Sequence, residues 1–129
     1  MIEKCRDDLL SLLYAAGQGH IDAIRRFIKL GMDINQLGKN GTSALMLASE
    51  YGQTDVVAAL LDANVEINQS NHKGCTALMF AAEYGHSEVV KLLLNAGANS
   101  SLTNHDGATA LDLAKEYAHS SVVDLLEPS

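Results

Sequence analysis

Cysteine is scarce in this chain, basic residues are outnumbered, and no apolar run is long enough to span a membrane. The two cysteines among 129 residues, Cys5 and Cys75, form no Cys-x-x-Cys spacing. Neither a zinc framework nor a disulfide scaffold is indicated, and reduced thiols in a cytosol are expected. Nine Lys and Arg face sixteen Asp and Glu, a formal net charge of −7. That balance argues against a nucleic-acid backbone as partner, and without a polybasic segment there is no grip on an anionic bilayer. No apolar stretch reaches the ~18 residues of a membrane-spanning helix. The opening Met1-Ile2-Glu3-Lys4-Cys5-Arg6-Asp7-Asp8 is too charged for a secretory leader, so a cytoplasmic location is expected. Also absent are a phosphate-cradling Gly-rich loop, a nucleophile elbow, a His-Glu-x-x-His pair and a paired-carboxylate cleft. We therefore expect no enzyme, no cofactor and no metal.

What the chain does contain is a period. Ala44-Leu45 leads to Glu50-Tyr51-Gly52, Ala77-Leu78 to Glu83-Tyr84-Gly85, and Ala110-Leu111 to Glu116-Tyr117-Ala118, each 33 residues after the last. Residues 39–71 laid over 72–104 share 14 identities in 33 positions. The phase continues through Gly107, Leu111, Ala114, Val122 and Leu126, and backward through Leu12, Ala15, Gly19, His20, Ile24, Phe27 and Gly31. A fixed period of this length marks a stacked-repeat protein. We place a lead-in at 1–5 and repeats at about 6–38, 39–71, 72–104 and 105–129, within one domain of residues 1–129. The first and last repeats act as caps: the last turns Ser120, Ser121, Asp124 and Glu127 outward, the polar end that solenoids need. Residues 1–129 are expected to be a complete folding unit.

Each unit reads as helix, turn, helix and a projecting turn. Apolar residues at 44, 45, 47 and 48 give a short helix with one broad buried face. Val56, Val57, Leu60 and Leu61 form the stripe of a second amphipathic helix. Gly52 stops the first helix, and Thr54, Ser87 and Ser120 are candidate N-caps of the second. Ala63-Asn64 and Ala96-Gly97 allow a turn with positive φ. An extended stretch starting at Glu66-Ile67-Asn68 then reaches the hairpin-type tips Asn40-Gly41, Lys73-Gly74 and Asp106-Gly107.

This unit resembles the ankyrin repeat, whose Thr-Pro-Leu-His-x-Ala signature is matched by Thr76-Ala77-Leu78-Met79-Phe80-Ala81, Ser43-Ala44-Leu45-Met46-Leu47-Ala48 and Thr109-Ala110-Leu111-Asp112-Leu113-Ala114. Gly85-His86 with Val89-Val90 and Leu93-Leu94, and Gly31-Met32-Asp33-Ile34-Asn35, echo later parts of the pattern. The resemblance covers nearly the whole chain. It implies an all-α solenoid of helix-turn-helix units joined by β-hairpin-type turns, and a protein-interaction role. Every signature proline is alanine here and every signature histidine is methionine or aspartate. Because that histidine bonds neighbouring repeats in the family, adjacent units are expected to cohere more by apolar packing. The resemblance also marks Asn35 and Asn68 as positions that asparaginyl hydroxylases modify in some ankyrin proteins.

Five histidines raise the question of metal. His72 and His105, like His86 and His119, are 33 apart and occupy equivalent places in successive units. Stacked helices lie about 8–10 Å apart, whereas zinc holds nitrogens at about 2.0–2.1 Å, so equivalent histidines do not share an ion. His20, His86 and His119 are read as turn histidines bonding backbone at the bend. Ser43 is read as a helix N-cap, Cys75 as a small exposed residue, and Met46 and Met79 as packing between repeats.

The recurring Glu-Tyr pair is the strongest candidate for function. The resemblance places Glu50, Tyr51, Glu83, Tyr84, Glu116 and Tyr117 on a concave groove, where three of the four tyrosines would form a row beside a row of carboxylates. Tyrosine is enriched among residues that dominate binding energy. Duplication alone would copy such a surface, and glutamates ~10 Å apart repel by only about 0.4 kcal/mol in water. The tips Lys39, Asn40, Thr42, His72, Lys73, Cys75, His105 and Asp106 vary between repeats and would set specificity. We expect a monomeric, non-catalytic module binding a protein with a basic or mixed surface. An accessory or inhibitory subunit of a separate enzyme is the alternative, with a small-molecule or metal-dependent enzyme further behind.

Overall fold

The computed structural model describes residues 2–127, with side chains from Asp8 onward, so Cys5 lies outside the described side chains. Among the described residues eight α-helices follow one another in pairs: α1 (Ile2–Gln18) with α2 (Ile21–Lys29), α3 (Ala44–Glu50) with α4 (Thr54–Asp62), α5 (Ala77–Glu83) with α6 (Ser87–Asn95), and α7 (Ala110–Glu116) with α8 (Ser120–Leu126). The first helices pack in the order α1, α3, α5, α7, and the second helices in the order α2, α4, α6, α8. Among the described residues there is no strand, only an antiparallel bridge between Ser70 and Thr76. The fold is an all-α repeat solenoid. Helix α1 takes in most of the stretch expected as a lead-in.

A helix of seven residues does not persist alone in water, so the first helices of the later units owe their stability to neighbours and caps. Ala44, Ala48, Ala77, Ala81, Ala110 and Ala114 are buried, and their small side chains let adjacent helices approach closely. Leu45, Met46, Leu78 and Met79 fill the space between units. Ser43 Oγ accepts from Met46 N at 3.1 Å, and Thr76 Oγ1 accepts from Met79 N at 3.3 Å. In the last unit Thr109 and Asp112 cap each other reciprocally, Asp112 N to Thr109 Oγ1 at 3.2 Å and Thr109 N to Asp112 Oδ2 at 3.0 Å. Those bonds hold the Asp112 carboxyl below the ordinary aspartate range. On the second helices Val56, Val57, Leu60, Val89, Val90 and Leu93 are buried, each leucine contributing about 1.5–3 kcal/mol.

Thr54, Ser87 and Ser120 are not the caps of the second helices. Each is the first helical residue, and the N-cap places belong to Gln53, His86 and His119, whose side chains make no capping bond. Those three side chains reach back to the preceding unit instead. Gln53 Nε2 donates to the Gly17 carbonyl at 2.9 Å. His86 Nε2 donates to the Glu50 carbonyl at 2.8 Å and His119 Nε2 to the Glu83 carbonyl at 2.7 Å. The acceptor is a carbonyl in each case, so the bonded ring nitrogen carries the proton.

The same rings crowd the glycines before α4 and α6. Gly52 has φ +69° and Gly85 φ +74°, and a Cβ built on either would stand 2.6 Å from Nδ1 of His86 or His119. In the last unit Ala118 keeps the left-handed conformation at φ +59°; no further unit lies over it among the described residues. His20, in the first described unit, meets Tyr14 edge-on at 5.7 Å.

Units are also tied through their linkers. Asn35 Oδ1 accepts from Glu66 N at 2.8 Å, and Asn68 Oδ1 from Asn99 N at 2.9 Å. Polar bonds between linkers therefore join the apolar packing that holds units together. The two ends of the stack differ: Ser120, Ser121, Asp124 and Glu127 are exposed on α8, whereas Leu10, Tyr14 and Leu30 are exposed on the first pair.

Candidate interaction groove

The tips are built by asparagine. Asn71 Oδ1 accepts from Lys73 N at 2.9 Å and Cys75 N at 3.0 Å, while Asn71 N donates to the Cys75 carbonyl at 2.9 Å. Asn104 repeats the pattern with Asp106 N and Ala108 N. The first tip has Gly38 at the corresponding place and closes as a single 3₁₀ turn over Lys39–Gly41, with Asn40 at φ +64°. Adjacent tips are bonded through their backbones, His72 N to the Asn40 carbonyl at 3.0 Å and His105 N to the Lys73 carbonyl at 2.9 Å.

Between the first two of these tips and α5 lies an open trough of about 440 Å³, lined by Asn40, Thr42, Asn71, His72, Lys73, Cys75, Phe80 and Glu83. Six of the residues expected to make contact thus converge in one place: Asn40, Thr42, His72, Lys73, Cys75 and Glu83. Lys39, His105 and Asp106 are exposed on the tips outside it. Asn71 and Phe80 are lining residues that the sequence reading left out. Each carried a signal: Asn71 aligns with an identical Asn104, and Phe80 is aromatic where the sister units have Leu47 and Leu113.

Cys75 is half-buried, not the exposed residue expected, because the third tip closes over it. Burial, followed by the Glu83 charge, pushes its thiol up, so it stays protonated and is a poor nucleophile. Among the described residues no group of three or more His, Cys, Asp or Glu side chains converges on a point. No described helix is long and apolar enough to cross a membrane.

The Glu-Tyr pairs lie at the far ends of the first helices. Tyr51, Tyr84 and Tyr117 are 57%, 48% and 50% exposed, three equivalent aromatic side chains open to solvent. Glu50 and Glu83 are half-buried and Glu116 is exposed. The Tyr51 ring leans on the preceding unit, 3.6 Å from the position a Cβ on Gly17 would take. Electrostatics shows that the pairs sense one another. Burial and then the Glu83 charge push the Glu50 carboxyl above the usual glutamate range. Burial pushes the Tyr84 hydroxyl up as well, reinforced by Glu83, Glu50, Tyr117 and Tyr51. The two ion pairs among the described residues, Lys91–Glu88 at 3.4 Å and Lys115–Glu127 at 3.8 Å, involve none of these carboxylates. The row is negative and aromatic, and its carboxylates form no ion pair among the described residues.

A family model described as Ankyrin repeats (3 copies) matches residues 2–71 and again residues 63–128. No curated protein matches the chain.

Proposed function

Because the chain belongs to the ankyrin-repeat family, whose stacked units generally serve protein–protein interaction, we propose that it is a non-catalytic binding module. It holds a partner protein across the trough and the Glu-Tyr row. The observation that carries this reading is the exposure of three equivalent tyrosines beside carboxylates that form no ion pair among the described residues. Buried alanines and valines account for the stability of the stack, and none of them requires an aromatic ring at the helix ends. Tyrosine offers a large contact area with little rotamer entropy to lose. The tip residues Lys39, Asn40, Thr42, His72, Lys73, Cys75, His105 and Asp106 would select the partner, and Glu50, Tyr51, Glu83, Tyr84, Glu116 and Tyr117 would anchor it. Net charge −7 favours a basic or mixed partner surface, speeding encounter more than setting final affinity. In this reading the module works as a cytoplasmic monomer, one domain whose first and last pairs act as its ends.

The test is quantitative binding of the protein cross-linked to the groove in its native cell. Tyr51→Ala and Tyr84→Ala should each preserve the helical spectrum and melting temperature while weakening binding at least tenfold. Glu88→Gln, on the second-helix layer, should leave it unchanged. Unaltered affinity in both tyrosine variants removes the groove from the proposal.

A further inference from the structure

Building on the binding role proposed above, we infer that the occupant of this surface is an extended, basic peptide segment with arginine or lysine at every third position. Two properties of the surface lead there. The first is charge: Glu50 and Glu83 are half-buried, repel each other and form no ion pair among the described residues, while Tyr84 lies within their combined field. A cationic side chain set between these carboxylates neutralises both and meets the face of a half-exposed tyrosine, an arrangement that strengthens further as water leaves.

The second is spacing. Glu50, Glu83 and Glu116 recur once per unit, which places successive carboxylates about 8–10 Å apart along the stack. An extended chain in the polyproline II conformation rises about 3.1 Å per residue with three residues per turn, so three residues cover one unit and every third side chain returns to the face that meets the next carboxylate. A helix would need seven residues for the same advance. A helix's backbone groups are already bonded internally, whereas the trough offers polar side chains at Asn40, Thr42 and Asn71 to a polyproline II chain whose backbone is free.

The experiment uses the full chain and three fluorescein-labelled peptides of nine residues. One repeats Arg-Ser-Ser three times, a second has three consecutive arginines followed by six serines, and a third has the same composition as the first with lysine for arginine. Fluorescence anisotropy should show the phased arginine peptide binding at least tenfold tighter than the clustered one. The phased lysine peptide should fall between them, since guanidinium pairs with carboxylate in two places. Tyr84→Ala and Glu83→Gln should each weaken the phased peptide at least fivefold, and Glu88→Gln should not. Equal affinity for phased and clustered peptides would mean that net charge alone is read, and overturns the inference. So would tighter binding of a helical peptide carrying arginine at every seventh position. If the phased peptide fails but Tyr84→Ala still weakens the cross-linked partner, the inference is wrong and the binding role stands. If Tyr84→Ala affects neither, both fall together.

Discussion

Replacing Gly52 by alanine and Ala118 by glycine probes the same bend in two units, with effects of opposite sign. Gly52 has φ +69°, and a Cβ there would stand 2.6 Å from His86 Nδ1, closer than atoms approach without one of them moving. The left-handed conformation costs an alanine about 1–2 kcal/mol. Displacing the imidazole also breaks its 2.8 Å bond to the Glu50 carbonyl, a further loss of about 1 kcal/mol. The stiffer unfolded chain returns about 0.4–1 kcal/mol. Gly52→Ala should therefore destabilise by about 2 kcal/mol. Ala118 already bears the left-handed penalty at φ +59°, with no further unit over it among the described residues, so Ala118→Gly should stabilise by about 0.5 kcal/mol once its looser unfolded chain is counted. At about 4 °C per kcal/mol for a chain of this size, thermal melts followed by circular dichroism should shift down by about 8 °C and up by about 2 °C. The contact with His86 is isolated by repeating Gly52→Ala in a His86→Ala background, where it should cost about 1 kcal/mol less. An identical cost in both backgrounds, or a negligible cost in the first, would refute the account of the bend.

Ser49 is fully buried and its hydroxyl has no partner, while equivalent positions are Ala16 and Ala82. Ser49→Ala should be neutral or stabilise by up to about 1 kcal/mol in urea unfolding; a loss of that size would reveal a bond to the hydroxyl. Glu50 gives a pH test. Burial, and secondly Glu83, raise its folded-state pKa, so the ionised carboxylate is worse off folded than unfolded, and stability is lost as pH rises through that titration. Glu50→Gln should raise the melting temperature at pH 7, and the advantage should vanish below the ordinary glutamate value of about 4.3. An advantage that persists at pH 3 would assign the effect to something other than charge.

The helices and their order were legible because the period repeats each local signal, so Ser43, Thr76 and Thr109 could be recognised as caps from their place before the Ala-Leu pair. Thr54, Ser87 and Ser120 misled for an instructive reason. A hydroxyl residue before an amphipathic stripe looks the same whether it is the N-cap or the first helical residue. The outcome was decided by carbonyls 36 residues away, which claim the side chains of Gln53, His86 and His119. Apolar substitution in the signature hid the cohesion between units in the same way, since the linker bonds of Asn35 and Asn68 also cross from one unit to the next. Cys75 was misplaced because its depth depends on a neighbouring tip. The Glu-Tyr positions could be read from spacing, but the trough joining Glu83 to the tips needed the stacked geometry.

Main-chain bonding between neighbouring tips separates position from identity. His72 and His105 are anchored by their amide nitrogens, and the turns they enter are closed by the carboxamides of Asn71 and Asn104. None of those bonds consults the imidazole of either histidine or the side chain of Lys73 or Asp106. Mutational drift can therefore rewrite what the fingers display while the hand stays still, and a new recognition preference is only a few codons away.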